Sequence, residues 1–144
     1  MSNVSQILEK KGGMVLSVQT EDIVFEAISL MSEVNIGAVL VQKDKAIIGI
    51  FTERDYLQKV ALKMRTSKTL TVGEVMTSPV ITVSPTDSVQ HCMETMTTCR
   101  CRHLPVVEND KLLGIISIGD LVKVLVDEKE AEIAQLSHYI TGTY

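Results

Sequence analysis

At 144 residues and 45% hydrophobic, the chain has material for one compact domain with a real core and hardly for two independent ones. A formal charge of -4 argues against a nucleic-acid binder, which needs clustered Lys and Arg, and aromatics at 3% with no Trp leave little surface for stacking splayed-out bases. No basic stretch followed by a long apolar run opens the chain, and no apolar run approaches the roughly 20 residues of a membrane-spanning helix, so a cytoplasmic protein without membrane segments is expected.

Residues 1–14 form a lead-in segment that contains Val4-Ser-Gln-Ile-Leu8 and an ordinary loop at Gly12-Gly13. Residues 15–18 alternate like a short strand, and 22–34 place Val24, Ala27, Ile28 and Met31 at helical spacing. Residues 37–42 and 46–51 are β-branched and apolar around the charged Lys43-Asp44-Lys45, which predicts two strands joined by a tight turn. Thr52 opens a second helix that runs through Tyr56, Leu57 and Val60. A connecting stretch, 63–79, is polar over 63–71 and then echoes the first lead-in with Val72-Gly-Glu-Val-Met76.

The same order of elements then recurs. Shifting the sequence by 65 positions aligns residues 15–57 with 80–122 without a gap and pairs Val18 with Val83, Asp22 with Asp87, Met31 with Met96, Val41 with Val106, Gly49 with Gly114 and Asp55 with Asp120. The second copy predicts a strand over 80–83, a helix over 87–99, strands over 103–108 and 111–116, and a helix from Ser117. The chain therefore divides into repeat one (15–62), the connector (63–79), repeat two (80–126) and a C-terminal helix extension (127–144). The expected fold is α+β: two βαββα repeats whose sheets pack together around a pseudo-twofold axis, with a cleft at their junction for a ligand.

Both copies carry a glycine, apolar, x, Thr or Ser, x, x, Asp heptapeptide, Gly49-Ile-Phe-Thr-Glu-Arg-Asp55 and Gly114-Ile-Ile-Ser-Ile-Gly-Asp120. A hydroxyl followed three residues later by an acid is a capping box, which satisfies orphan backbone N–H groups. The same geometry also suits a ligand, because a helix N-terminus favours a phosphate and an ionised Asp accepts from ribose hydroxyls. With these motifs, the Met76-Thr77 lead-in and Arg102-His-Leu-Pro-Val-Val107, the chain resembles the tandem CBS-domain family, as a stand-alone bacterial-type pair. The resemblance implies a regulatory module with no catalysis of its own, reading an adenosine nucleotide: AMP first on the small supply of basic groups, then NAD(H), with ADP and ATP also carrying the adenosine. It implies contacts from Thr52, Asp55, Ser117 and Asp120, from the strand lead-ins Leu16, Ser17, Ile81 and Thr82, and phosphate contacts from Arg102 and His103. Arg54 stands opposite Gly119 in the register, so cations are divided unequally between the copies. It further implies a homodimer and an unidentified downstream protein that reads the ligand-bound state.

Cys99-Arg-Cys-Arg-His103 invites a zinc reading, since alternate strand residues share a face. Against it, Cys99 and Cys101 align with Val34 and Ile36, which predicts small buried hydrophobes; a metal or redox sensor is the minor alternative, beside a structural dimerisation module with empty clefts. The three cysteines leave an odd thiol however they pair. Arg100 is expected on the surface, and His91, opposite Glu26, is expected exposed rather than ligating. No nucleophile and base are marked by a local motif, so no enzyme and no metal are expected. Leu125, Ile133, Leu136, Tyr139 and Ile140 form an apolar stripe on the last helix that predicts contact with a second copy.

Overall fold

Asp44 and Lys45 adopt positive φ of 52° and 68°, the backbone twist a two-residue hairpin turn demands. They join β2 (Ala38–Lys43) to β3 (Ala46–Thr52) in antiparallel register, as the sequence predicts. The computed structural model describes residues 2–12 and 15–141, so Gly13 of the expected loop and the last three residues of the expected helix lie outside the described residues. The chain falls into two units, Met14–Ile81 and Met1–Gly13 with Thr82–Tyr144.

In the first unit, β1 (Ser17–Gln19) pairs in parallel with β2, which gives the sheet order β1-β2-β3. Helix α2 (Val24–Val34) buries Val24, Ala27 and Met31 against Val39, Val41 and Phe51, while Ile28, the fourth residue its spacing singled out, is partly buried beside them. Helix α3 (Glu53–Tyr56) continues into a π-type segment, Leu57–Ala61, in which the Leu62 N–H reaches back to the Leu57 carbonyl at 2.9 Å. The stretch expected to be a connector contributes Leu70 to the core, and α4 (Val72–Val75) contributes Val72 and Val75.

The second unit contains α1 (Val4–Lys11), α5 (Val89–Cys99), β4 (His103–Glu108), β5 (Lys111–Ser117) and α6 (Ile118–Thr141). Asn109 and Asp110 close its hairpin, again at positive φ. Val4 and Ile7 of α1 join Val83, Val89, Cys92, Met96, Leu104, Val106, Ile116 and Leu121 in the core. The two lead-ins are thus placed crosswise: α1, which precedes repeat one in sequence, belongs to the unit of repeat two, and α4 to the unit of repeat one. Each begins with the same reach-back, in which a side chain three residues into the helix accepts the N-cap N–H, Gln6 from Asn3 and Glu74 from Thr71, and this is the physical content of their echo.

The strand expected over 80–83 does not form. Only Val83 is paired, in a single parallel bridge to Val106. Repeat one extends its ladder because the Leu40 N–H donates to the Leu16 carbonyl at 3.1 Å; Pro105 holds the Leu40 position in repeat two and has no N–H to give. Among the described residues no helix is long and apolar enough to cross a membrane.

Candidate functional site

Both hydroxyl and carboxylate pairs stand where a strand turns into a helix, and both form the capping box. In the first unit the Asp55 N–H donates to Thr52 Oγ1 at 3.1 Å, and the Thr52 N–H returns to Asp55 Oδ2 at 3.0 Å. In the second the Asp120 N–H donates to Ser117 Oγ at 3.2 Å, and the Ser117 N–H to Asp120 Oδ2 at 2.8 Å. Beyond the caps the two sites diverge. Asp55, with its side chain only 8% exposed, also accepts from Thr77 Oγ1 at 2.8 Å and pairs with Lys59 at 3.0 Å. Lys59 in turn caps the carbonyls of Val75 and Met76. Asp120 remains 22% exposed and meets Lys11 Nζ at 2.8 Å, on the same oxygen that the Ser117 N–H uses. Burial works against the Asp120 charge and is the largest single influence on it. The Lys11 hydrogen bond, the Ser117 N–H and the Lys11 charge together outweigh burial and hold the carboxyl below its ordinary range.

The signature glycines explain how these partners arrive. A Cβ on Gly49 would stand 2.5 Å from Met76 Sδ and 3.0 Å from the Thr77 carbonyl, so only glycine lets the Met76-Thr77 segment lie on β3. There Thr77 exchanges two backbone hydrogen bonds with Ile50, which fixes its hydroxyl over Asp55. On Gly114 a Cβ would meet Leu8 of α1 at 2.7 Å, and the same helix carries Lys11 to Asp120.

The sequence-predicted basic groups separate. Arg54 is exposed on α3. Arg102 is exposed and His103 half-buried at the start of β4, where His103 pairs across the hairpin with Ser117 and the Arg102 carbonyl accepts from the Ile118 N–H at 2.9 Å. Arg102, His103, Ser117 and Asp120 therefore lie in one unit. Beside them, α1 and α6 enclose a cleft of about 450 Å³ lined by Lys10, Lys11, Asp120 and Lys123 on one part and by Asp127 and Glu128 on another. Of the strand lead-ins, Leu16 is half-buried against the first core and Ser17 is exposed on β1, whereas Ile81 and Thr82 are exposed outside regular structure. Sequence reasoning missed Lys11, Lys59 and the hydroxyl of Thr77. The Lys59 pairing was available as an i, i+4 spacing from Asp55; Lys11 is 109 positions from Asp120 and left no local signal.

The cysteines require a correction. Cys99 and Cys101 are half-buried rather than core residues, and they are joined to each other by a disulfide across Arg100. The register held, since Val34 and Ile36 are half-buried too, but the full burial expected of those positions did not, because the end of a helix and the turn after it leave both partly open in each unit. The odd thiol is Cys92, fully buried, and burial, aided by nearby Asp87, pushes it up to about 11. His91 is exposed, 3.9 Å from Asp87, and Arg100 is exposed.

Two α+β units, each with a hydroxyl and carboxylate pair capping the helix after its hairpin, define a tandem-repeat module. The chain belongs to the CBS-domain family, whose profile matches residues 13–62 and 72–127. It is 39% identical to the CBS domain-containing protein CBSX3, mitochondrial, of Arabidopsis thaliana, over an alignment covering 99% of this chain and 74% of that protein. A solved structure of a protein with CBS domains from Burkholderia ambifaria shares 47% identity at a TM-score of 0.83, covering 88% of this chain and 95% of that one. A hexameric CBS-CP12 protein from bloom-forming cyanobacteria shares 27% identity at a TM-score of 0.80, covering 97% and 86%.

Proposed function

We propose that this chain is a regulatory module that binds an adenosine nucleotide, catalyses nothing itself, and passes its ligand state to an unidentified downstream protein as a homodimer. CBS-domain proteins are generally regulatory modules that bind adenosine ligands. The observation that carries the reading is the second unit's arrangement. A partly exposed, ionised Asp120 caps a helix N-terminus with Ser117, and Arg102 and His103 enter on the adjacent strand. Asp120 Oδ1, free of the Lys11 and Ser117 N–H contacts, accepts ribose hydroxyls, and the cationic side takes the phosphate. Arg102 and His103 are the cations proposed for the phosphate, a supply that suits few phosphates and puts AMP first and NAD(H) second, ahead of ADP and ATP. Thr82 belongs to the same unit as this set, and Leu16, Ser17, Thr52, Arg54, Asp55 and Ile81 form the weaker counterpart in the first unit.

A thermal-shift screen tests this. Saturation with AMP at 100 times its dissociation constant adds about 2.7 kcal/mol of stability, and guanosine nucleotides add much less. Arg102→Ala weakens AMP far more than adenosine, which offers the arginine no phosphate. A chain that no adenine compound stabilises at millimolar concentration is instead a structural dimerisation module, the reading favoured by the internal satisfaction of Asp55.

A further inference from the structure

The turn between α5 and β4 has the same backbone geometry as the turn between α2 and β2, built from residues that suit it far less. In repeat one the left-handed position is Asn35, at φ 57° and ψ 52°; in repeat two it is Arg100, at φ 56° and ψ 38°. Asparagine tolerates this region because its short side chain bonds locally, whereas a long side chain with a Cβ resists it. Both turns nevertheless close alike: the N–H groups of Asn35 and Ile36 reach the Met31 carbonyl, and those of Arg100 and Cys101 reach the Met96 carbonyl. What repeat two adds is a covalent bond from Cys99 to Cys101 that spans the unfavourable residue.

We propose that Cys99 and Cys101 are a reversible dithiol/disulfide site, a redox clasp that holds the turn presenting Arg102 and His103. Closing the clasp joins the two sulfurs with loss of two electrons and two protons to a disulfide oxidant. Opening it is the reverse exchange: a thiolate of a dithiol reductant attacks one sulfur, its second thiol resolves the mixed disulfide, and two protein thiols and an oxidised reductant result. Both cysteines are half-buried at a turn, within reach of a small dithiol, while Cys92 is buried, protonated and inert. The consequence travels one residue further along the chain. The Arg102 carbonyl receives the Ile118 N–H, the first amide of α6, so the clasp is wired to the helix end that carries Ser117 and Asp120. Once reduced, the turn rests on an arginine in the left-handed region with nothing covalent to hold it, and that hydrogen bond opens more often.

The test treats the full chain with a thiol-specific oxidant, desalts it and titrates it with dithiothreitol. Each step is trapped with iodoacetamide and read by peptide mass spectrometry, with amide hydrogen exchange measured on the two end states. Cys99 and Cys101 should gain label together while Cys92 stays unlabelled until the chain unfolds. Exchange at residues 100–102 and at Ile118 should rise at least threefold on reduction, with the amides of β2 and β3 unchanged. Full alkylation of both cysteines in the oxidised sample, or equal exchange in the two states, overturns the proposal. The double variant Cys99→Ser with Cys101→Ser should match the reduced protein and ignore dithiothreitol; a response to the reductant in that variant also overturns it. No readout involves a nucleotide, so the redox site and the ligand are decided separately.

Discussion

Asp55 and Asp120 hold the same place in the repeat and differ in what already surrounds them. Asp55 accepts from Thr52, Thr77 and Lys59 in a buried setting, so Asp55→Ala takes the acceptor from the Thr77 hydroxyl and the counter-charge from Lys59, which keeps only the Val75 and Met76 carbonyls, and costs about 2 to 3 kcal/mol. Asp120→Ala removes a cap and a half-exposed ion pair, at about 1 kcal/mol, and on the proposed function it should weaken AMP roughly ten- to a hundredfold. Urea denaturation reads the first quantity and calorimetry the second; a larger AMP loss at Asp55 would reverse the assignment of the main site. The lowered pKa of Asp120 adds a pH dependence. A carboxyl held below its unfolded value stabilises the fold above that value, ordinarily 3.8, and the contribution fades as pH falls through the folded pKa. Lys11→Met removes the main compensating charge, so the melting temperature should fall near neutral pH while the acid limb of its profile becomes shallower and meets the parent's once pH drops below the folded pKa. Superimposable acid limbs would show that Lys11 does not hold the Asp120 charge.

At the scale of elements, the two glycines make a graded prediction. A methyl at Gly49 meets the Thr77 backbone as well as Met76, and backbone cannot step aside; a methyl at Gly114 meets only the flexible end of Leu8. Gly49→Ala should therefore cost about 1 to 3 kcal/mol and Gly114→Ala clearly less, by urea denaturation. Equal costs would mean that the Met76-Thr77 segment is not held against β3. The hairpins and the helices α2 and α5 were legible in the sequence, since alternation, helical spacing and the polar turns at 43–45 and 109–110 are local signals. The missing strand before Val83 was not, because the residue that cuts it, Pro105, lies on the partner strand rather than within the segment. The crosswise placement of α1 and α4 was half legible: the echo of the two lead-ins was in plain view, but which core receives each depends on tertiary packing, such as that which puts Val4 and Ile7 in one cluster with Val83 and Leu104. Of the candidate site, the capping pairs were readable and their third partners were not. Thr77 and Lys11 come to the carboxylates through tertiary packing, whereas Lys59 stands one helical turn from Asp55, and the cysteine pair is as half-buried as Val34 and Ile36, at a turn whose openness no register displays.

For the whole molecule the decisive feature is the length of α6. Its 24 residues extend about 36 Å, and its core anchor lies in the first turns, with Leu121 buried and Ile118 and Val124 packed on the second core. From Lys129 to Ile140 every residue is exposed, including Ile133 at 64%, Leu136 at 60% and Ile140 at 80%. These three follow at spacings of three and four and continue the line of Val122, Leu125 and Val126, so they lie along one face. An apolar line left exposed over this length forgoes the packing that stabilises most helices, and each such side chain gains about 1.5 to 3 kcal/mol on full burial. The occupant proposed for that face is the same face of a second copy, because a self-complementary apolar stripe closes on itself as a twofold dimer and leaves nothing exposed to propagate. The chain should sediment as a dimer, and Ile133→Glu with Leu136→Glu should sediment as a monomer, since each carboxylate would be buried without a partner in the closed pair. Both substitutions are on residues that touch neither core, so the unfolding of each unit, followed by hydrogen exchange in β2 and β4, should remain as in the parent. A parent chain that sediments as a monomer at tens of micromolar, or a variant that keeps the dimer, would show that the second half of α6 is not where two copies meet.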